Sequence, residues 1–209
     1  MIVLDVETTG LDPRRASIVS IGAVCLSEPD RQFYGECRVF DGAEVDPAAL
    51  GINGFSEEEV RDESKPSDGE LAVQFKEWLD ESGSYLFGGL NHHLDLLFLM
   101  ESAKRGGGEI GREKGGVVPK RIVDLHAVCY GHMAEKGRKV QVDEAGRSGL
   151  SSHLIYKYVG IPVEPNPHNA LNGAKWEAES LSRLLYSKGL LDEFKEYPIP
   201  WLESVREIE

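Results

Sequence analysis

The chain has 209 residues, 41% hydrophobic and 28% charged, a balance that suits one soluble globular domain with a sizeable core. Its formal net charge of −13 disfavours a long non-specific nucleic-acid track, because such binding depends on neutralising many phosphates. The charge is uneven, however: Lys104 to Arg147 carries ten Lys and Arg against six Asp and Glu, room for a local basic face. The longest apolar run, LDLLFLM, is too short and too charged to span a bilayer, so no membrane partner is expected. No basic segment followed by an apolar stretch marks a secretory signal. Cys25, Cys37 and Cys129 are odd in number and form no CxxC pair, which argues against a disulfide framework and points to a reducing, cytoplasmic setting.

In chain order, MIVLDVETTG reads as a buried strand running into a turn. SIVSIGAVCLS and QFYGECRVF are strand-like runs separated by EPDR, consistent with a hairpin beside the first strand. DPAALGINGFSEEEV opens with a helix cap and a first-turn proline, then breaks at Gly51 and Gly54. SDGELAVQFKEWLDE places Leu71, Phe75, Trp78 and Leu79 at helical spacing. A short strand, SYLFGGL, leads to an apolar helix, HLDLLFLMESAKR, and then to a Gly-rich charged loop from Gly106 to Gly116, a candidate strand cover or dimer contact. RIVDLHAVCYGHMA passes from strand to helix, and LSSHLIYKYVG is a short helix closed by Gly160. The prolines of IPVEPNP exclude a helix there. From Asn169 to Lys188 runs a long amphipathic helix with Leu171, Ala174, Ala178, Leu181, Leu184 and Leu185 inward. The pattern is an α/β layered domain over residues 1–190, followed by a Pro-containing acidic tail over 191–209 that packs loosely or meets a partner.

Asp5 and Glu7 are two apart on a strand, so both carboxylates leave the same face. Two such acids at the end of an apolar strand are costly without a cation, and hard oxygen ligands suit Mg²⁺ or Mn²⁺. Asp95 is either a third ligand or a helix N-terminal charge. The adjacent His92 and His93 diverge by about 100° on a helix and make a poor chelating pair.

Three segments occur in order: DVETTG (5–10), NHHLDLLFL (91–99) and HNALNGA (168–174). Together they resemble the sequence blocks of the DEDDh family of 3′–5′ exonucleases, and the likeness covers roughly residues 1 to 188. The resemblance implies a ribonuclease H-like fold, a mixed β-sheet flanked by helices. It implies two Mg²⁺ or Mn²⁺ ions, with Asp5 bridging both, Glu7 on the first and Asp95 on the second. His168 would be the general base, and Thr8, Thr9, Gly10, Asn91 and Leu94 would lie near the terminal nucleotide. The implied substrates are single-stranded DNA or RNA 3′ ends cut to nucleoside monophosphates, with a homodimer or a polymerase or repair complex as candidate assemblies.

One departure bears on the chemistry. Gly173 stands where the family has its fourth acid, which removes a direct ligand and leaves two divalent ions facing three carboxylates. Such a gap should cost more than the roughly 10–100-fold typical of lost outer-shell partners, so weakened ion occupancy and impaired turnover are expected. Glu177, one turn further along the helix, can reach back as a substitute ligand, although its ordinary role would be a solvent-facing helical glutamate. Glu179 should point away. The alternative to an exonuclease is a binding module of the same fold, a pseudo-nuclease that holds nucleic acid or protein without cutting.

Overall fold

The computed structural model describes residues 1–108 and 121–203. Most of the Gly-rich loop singled out above, part of the basic stretch and the last six residues of the tail lie outside these. A five-stranded mixed sheet runs through the molecule in the order β3-β2-β1-β4-β5, comprising β1 (Ile2–Thr8), β2 (Ile18–Cys25), β3 (Glu28–Glu36), β4 (Phe87–Gly89) and β5 (Ile122–Asp124). The first three strands pair antiparallel, and β4 and β5 run parallel to β1. The hairpin turn falls at Leu26 and Ser27, so EPDR belongs to β3 rather than to the turn.

Alternation along β1 decides which face does what. Ile2, Leu4 and Val6 enter one core with Leu71, Phe75 and Leu79 of α3 (Asp68–Ser82) and Leu96 and Leu99 of α4 (His93–Arg105). Val3 enters a second core on the other face, with Ala174, Ala178 and Leu181 of α7 (Ala170–Tyr186) and Leu125 and Cys129 of α5 (Leu125–Glu135). Asp5 and Glu7 share the face of Val3, and therefore look toward α7. The short helices α1 (Pro47–Asn53), α2 (Glu57–Val60) and α6 (Ser152–Val159) complete the layers. Helix α1 passes through Gly51 without breaking and ends at Gly54, which takes the left-handed conformation.

The starts of the helices follow local chemistry. Ser67 and Glu70 form a reciprocal cap at α3, and the Asn169 side chain accepts from the N–H groups of Leu171 and Asn172 at the head of α7. Helix α7 then crosses β2 where Gly22 has no side chain; a Cβ there would overlap the backbone of Ala170 and Leu171. Its inner face is as the periodicity predicts except at Leu185, which the end of the helix leaves 41% exposed.

The segment after α7 is bolted down rather than loose. Arg183, 1% exposed, donates to the carbonyls of Val159, Phe194, Tyr197 and Pro198 and to Glu179 Oε1. Glu179 Oε2 in turn accepts from the N–H groups of Leu190 and Leu191. Glu179 thus points away from Asp5, as its spacing implies, but into the interior. Removing one partner of a buried pair leaves an uncompensated charge, worth about 3–5 kcal/mol. Arg183→Met is accordingly expected to lower the urea midpoint and to expose residues 190–203 to limited proteolysis; an unchanged midpoint would contradict this anchoring.

Candidate active site

The second half of β1 carries Asp5 and Glu7 to the edge of α7, opposite Gly22 and Ser20 of β2. The first turn of α4 carries Asp95, whose side chain is 14% exposed. These three acids come together as the sequence implies. His168 sits in the segment leading into α7, its backbone N–H donating to Ile52 O at 3.0 Å. That bond fixes the main chain at His168 against the end of α1.

Gly173 is not an open gap. A Cβ there would overlap the Asp5 carboxylate oxygen and lie 2.8 Å from Asp5 Cγ, so Asp5 already fills the space that a side chain would need. Glu177 differs from the solvent-facing expectation as well. It is 6% exposed, and its Oε2 accepts from the Leu90 N–H at 3.0 Å. The bare Gly89 makes room for it: a Cβ there would stand 3.0 Å from Glu177 Oε2 and 2.6 Å from His92 Nδ1. His92 is enclosed, with no hydrogen-bond partner on either ring nitrogen, and its Nδ1 lies 3.6 Å from Asp95 Oδ2.

The electrostatics of this cluster are severe. Burial, followed by the charges of Glu177, Asp95, Glu7 and Glu164, pushes the Asp5 carboxyl well above its ordinary range. Burial, then Glu164 and Asp95, raises Glu7 to about 7. Glu177 is pushed up by burial first and by Asp95 next, with the Leu90 N–H pulling the other way. The buried Tyr156 phenol is raised by burial and by Glu177, Glu164 and Asp5. Among the described residues no three His, Cys, Asp or Glu side chains stand ready-arranged around one ion position. The donor set nonetheless fits hard divalent cations: all its acids are oxygen donors, crowded together, and Asp5, Glu7 and Glu177 are held above their ordinary range with no positive charge beside them.

Of the residues expected near a nucleotide, Thr9 is a correction. It is fully buried, its hydroxyl donating to Glu44 O and accepting from the Ser17 N–H, so it braces the turn and has no free hydroxyl to offer. Thr8 donates to Gly10 O at 2.8 Å, and Leu94 packs partly into the first core. Asn91 is exposed and adopts a positive φ of 52°. Two neighbours escaped the sequence reading, Glu164 and His92. Glu164 lies in a segment legible only for its prolines, and the pairing of His92 with His93 as poor chelators says nothing of its enclosure beside Asp95.

Comparisons agree with this architecture. Residues 2–99 match the exonuclease family model. The chain is 36% identical over 189 residues to the 3′–5′ DNA exonuclease Cap18 of Escherichia coli, covering 88% of this chain and 90% of that protein. The chain belongs to the DEDDh family of 3′–5′ exonucleases. A shorter likeness, 33% over 61 residues, links it to ribonuclease T of Pectobacterium atrosepticum, with 26% of this chain and 27% of that protein covered. Among solved structures, the cell-death related nuclease 4 superposes with a TM-score of 0.68 at 14% identity, over 90% of this chain and 64% of that one. E. coli exonuclease I in complex with a dT13 oligonucleotide gives 0.64 at 16% identity, over 87% of this chain. This chain spans 40% of that exonuclease I chain, and at these identities the likeness concerns the fold, the ribonuclease H-like α/β fold of this family.

Two outcomes follow for the cation-free protein. A carboxyl whose pKa is raised on folding stabilises the fold below its unfolded value, and that contribution is lost as pH rises through its folded value. With Glu7 at about 7 and Asp5 and Glu177 also raised, the melting temperature is expected to fall as pH climbs from about 4.5 past 7, and Mn²⁺ is expected to restore it at pH 8. A melting temperature flat across that window would contradict the cluster. Separately, Gly→Ala inside a helix ordinarily gains up to about 1 kcal/mol. Gly173→Ala is expected instead to cost about 1–3 kcal/mol in chemical denaturation, because Asp5 must move.

Proposed function

We propose that this protein is a divalent-cation-dependent 3′–5′ exonuclease that acts on single-stranded DNA ends and releases nucleoside monophosphates. The observation that carries the reading is Glu177: buried, and facing Asp5 and Asp95 from one turn beyond the vacant acid position. With it the site has four carboxylates despite Gly173. Impairment through loss of the fourth acid is therefore not the expected outcome. The choice of DNA over RNA leans on the relative named a 3′–5′ DNA exonuclease, and that of single strands on the oligonucleotide-bound exonuclease I of the same fold.

In this reading Asp5, Glu7, Asp95 and Glu177 hold Mg²⁺ or Mn²⁺. When bound, the cations would supply Lewis-acid activation of water and charge stabilisation at the departing 3′ oxygen. His168 takes the proton of the attacking water, its position set by the fixed main chain before α7. Helix α7 holds Glu177 in place through the Leu90 N–H, so the carboxylate is oriented before substrate arrives. Thr8 and the Gly10 turn, together with Asn91, border the place of the terminal nucleotide. An acidic surface suits a short single-stranded end better than a long duplex track.

A 3′-labelled single strand incubated with Mn²⁺ is expected to release mononucleotides, and EDTA to stop the release. Loss of a general base commonly costs 10²–10⁴-fold, so His168→Ala should fall within about that range. Asp5→Asn should abolish measurable turnover. If the folded parent binds the strand and never cuts it, the binding-only reading replaces this one.

A further inference from the structure

The proline-rich segment between α6 and α7 delivers more than His168. It is fixed at three points: Pro162 O accepts from Trp176 Nε1 at 2.8 Å, Pro167 packs so close to Gly54 that a Cβ there would meet it at 2.6 Å, and the His168 N–H is tied to Ile52. Glu164 lies inside this fixed arc. Its Oε1 is buried and has no hydrogen-bond partner, although the residue as a whole is only partly buried. A carboxylate oxygen left unpartnered out of water is costly, so its persistence on a rigid segment calls for a ligand. The fully enclosed, unpartnered imidazole of His92 beside Asp95 is a second such orphan in the same cluster.

We propose that Glu164 is a further ligand, beside the four carboxylates named above, to the divalent cation on the Glu7 side of the site. This rests on the exonuclease reading above. The division of labour follows from where each acid meets its neighbours. Glu177 leans on Leu90 and Gly89, with Asp95 as its main opposing charge and Glu164 a smaller one. Glu164 is instead the largest opposing charge on Glu7, and the His168 imidazole is its own main attractive neighbour. With Asp5 leaning into the space beside Gly173, a side chain from α7 at that position would have to displace the Asp5 carboxylate, whereas Glu164 comes from the preceding segment. The arc that carries the base thus also carries a carboxylate, five residues ahead of Asn169 at the head of α7.

The test is Mn²⁺ binding by calorimetry and metal-free melting at pH 8, on the full chain, for the parent, Glu164→Gln and Asp5→Asn. Glutamine keeps the shape and one acceptor oxygen, so a purely structural role would leave the Mn²⁺ affinity unmoved, while the melting temperature reports the relieved repulsion. The expected result for Glu164→Gln is a higher metal-free melting temperature, from relieved repulsion, and Mn²⁺ affinity weakened at least tenfold. If Glu164→Gln binds Mn²⁺ like the parent while Asp5→Asn does not, this proposal is overturned and the exonuclease reading stands. If the parent binds no Mn²⁺, the cation-dependent reading falls and this inference with it. Carbodiimide labelling of the parent gives a measure that needs no variant: Mn²⁺ is expected to suppress modification of Glu164, and unchanged labelling would overturn the proposal.

Discussion

The close approach of α7 to the central strands governs the rest of the molecule. It depends on two positions without side chains. Gly22 lets the head of the helix rest on β2, and Gly173 lets Asp5 of β1 turn against the helix itself. An apolar stripe of Ala174, Ala178 and Leu181 then seals the contact, its burial contributing the usual roughly 25 cal/mol per Å² of apolar surface. The same contact brings Glu177 under cover next to Asp5, a combination that hydrophobic packing alone would never favour.

The fold therefore stores an electrostatic imbalance at the end of β1. Burial and neighbouring charge raise the proton affinity of Asp5, Glu7, Glu164 and Glu177, and in place of protons divalent cations would relieve the repulsion and do chemistry at once. Rigid supports keep the imbalance local. Arg183 ties the C-terminal segment to α7, while Trp176 and Ile52 hold the arc that bears Glu164 and His168. A site whose carboxylates are set before substrate binds loses little in reorganisation when charge develops on the phosphate.

Much of this was legible in the sequence. The period-two pattern of β1 put Asp5 and Glu7 on one face, and the spacing of α7 gave its buried stripe, both because side-chain direction is fixed by backbone geometry. What escaped depended on tertiary contact. Glu177 has the sequence environment of a surface glutamate, and only the glycine at position 89 of a different element makes room for it inside. Glu164 sits among prolines that announce a loop but not where the loop is pinned. Gly173 reads as a lost ligand in one dimension; in three it is the place Asp5 occupies. Thr9 shows the reverse case, a motif residue whose hydroxyl is consumed by bracing the turn. Arg183 and Glu179 look like an ordinary surface pair four residues apart, yet both are buried because the chain beyond α7 folds back over them.

The most direct test is a crystal of the protein grown with Mn²⁺ and examined for anomalous scattering. The expected map has Mn²⁺ density against Asp5, with oxygens of Glu177 and Glu164 among the ligands of the bound ions, Glu164 on the Glu7 side, and no approach from position 173. Density ligated by Asp5, Glu7 and Asp95 alone, with Glu177 still on the Leu90 N–H and Glu164 turned away, would contradict the view that these two glutamates are ligands.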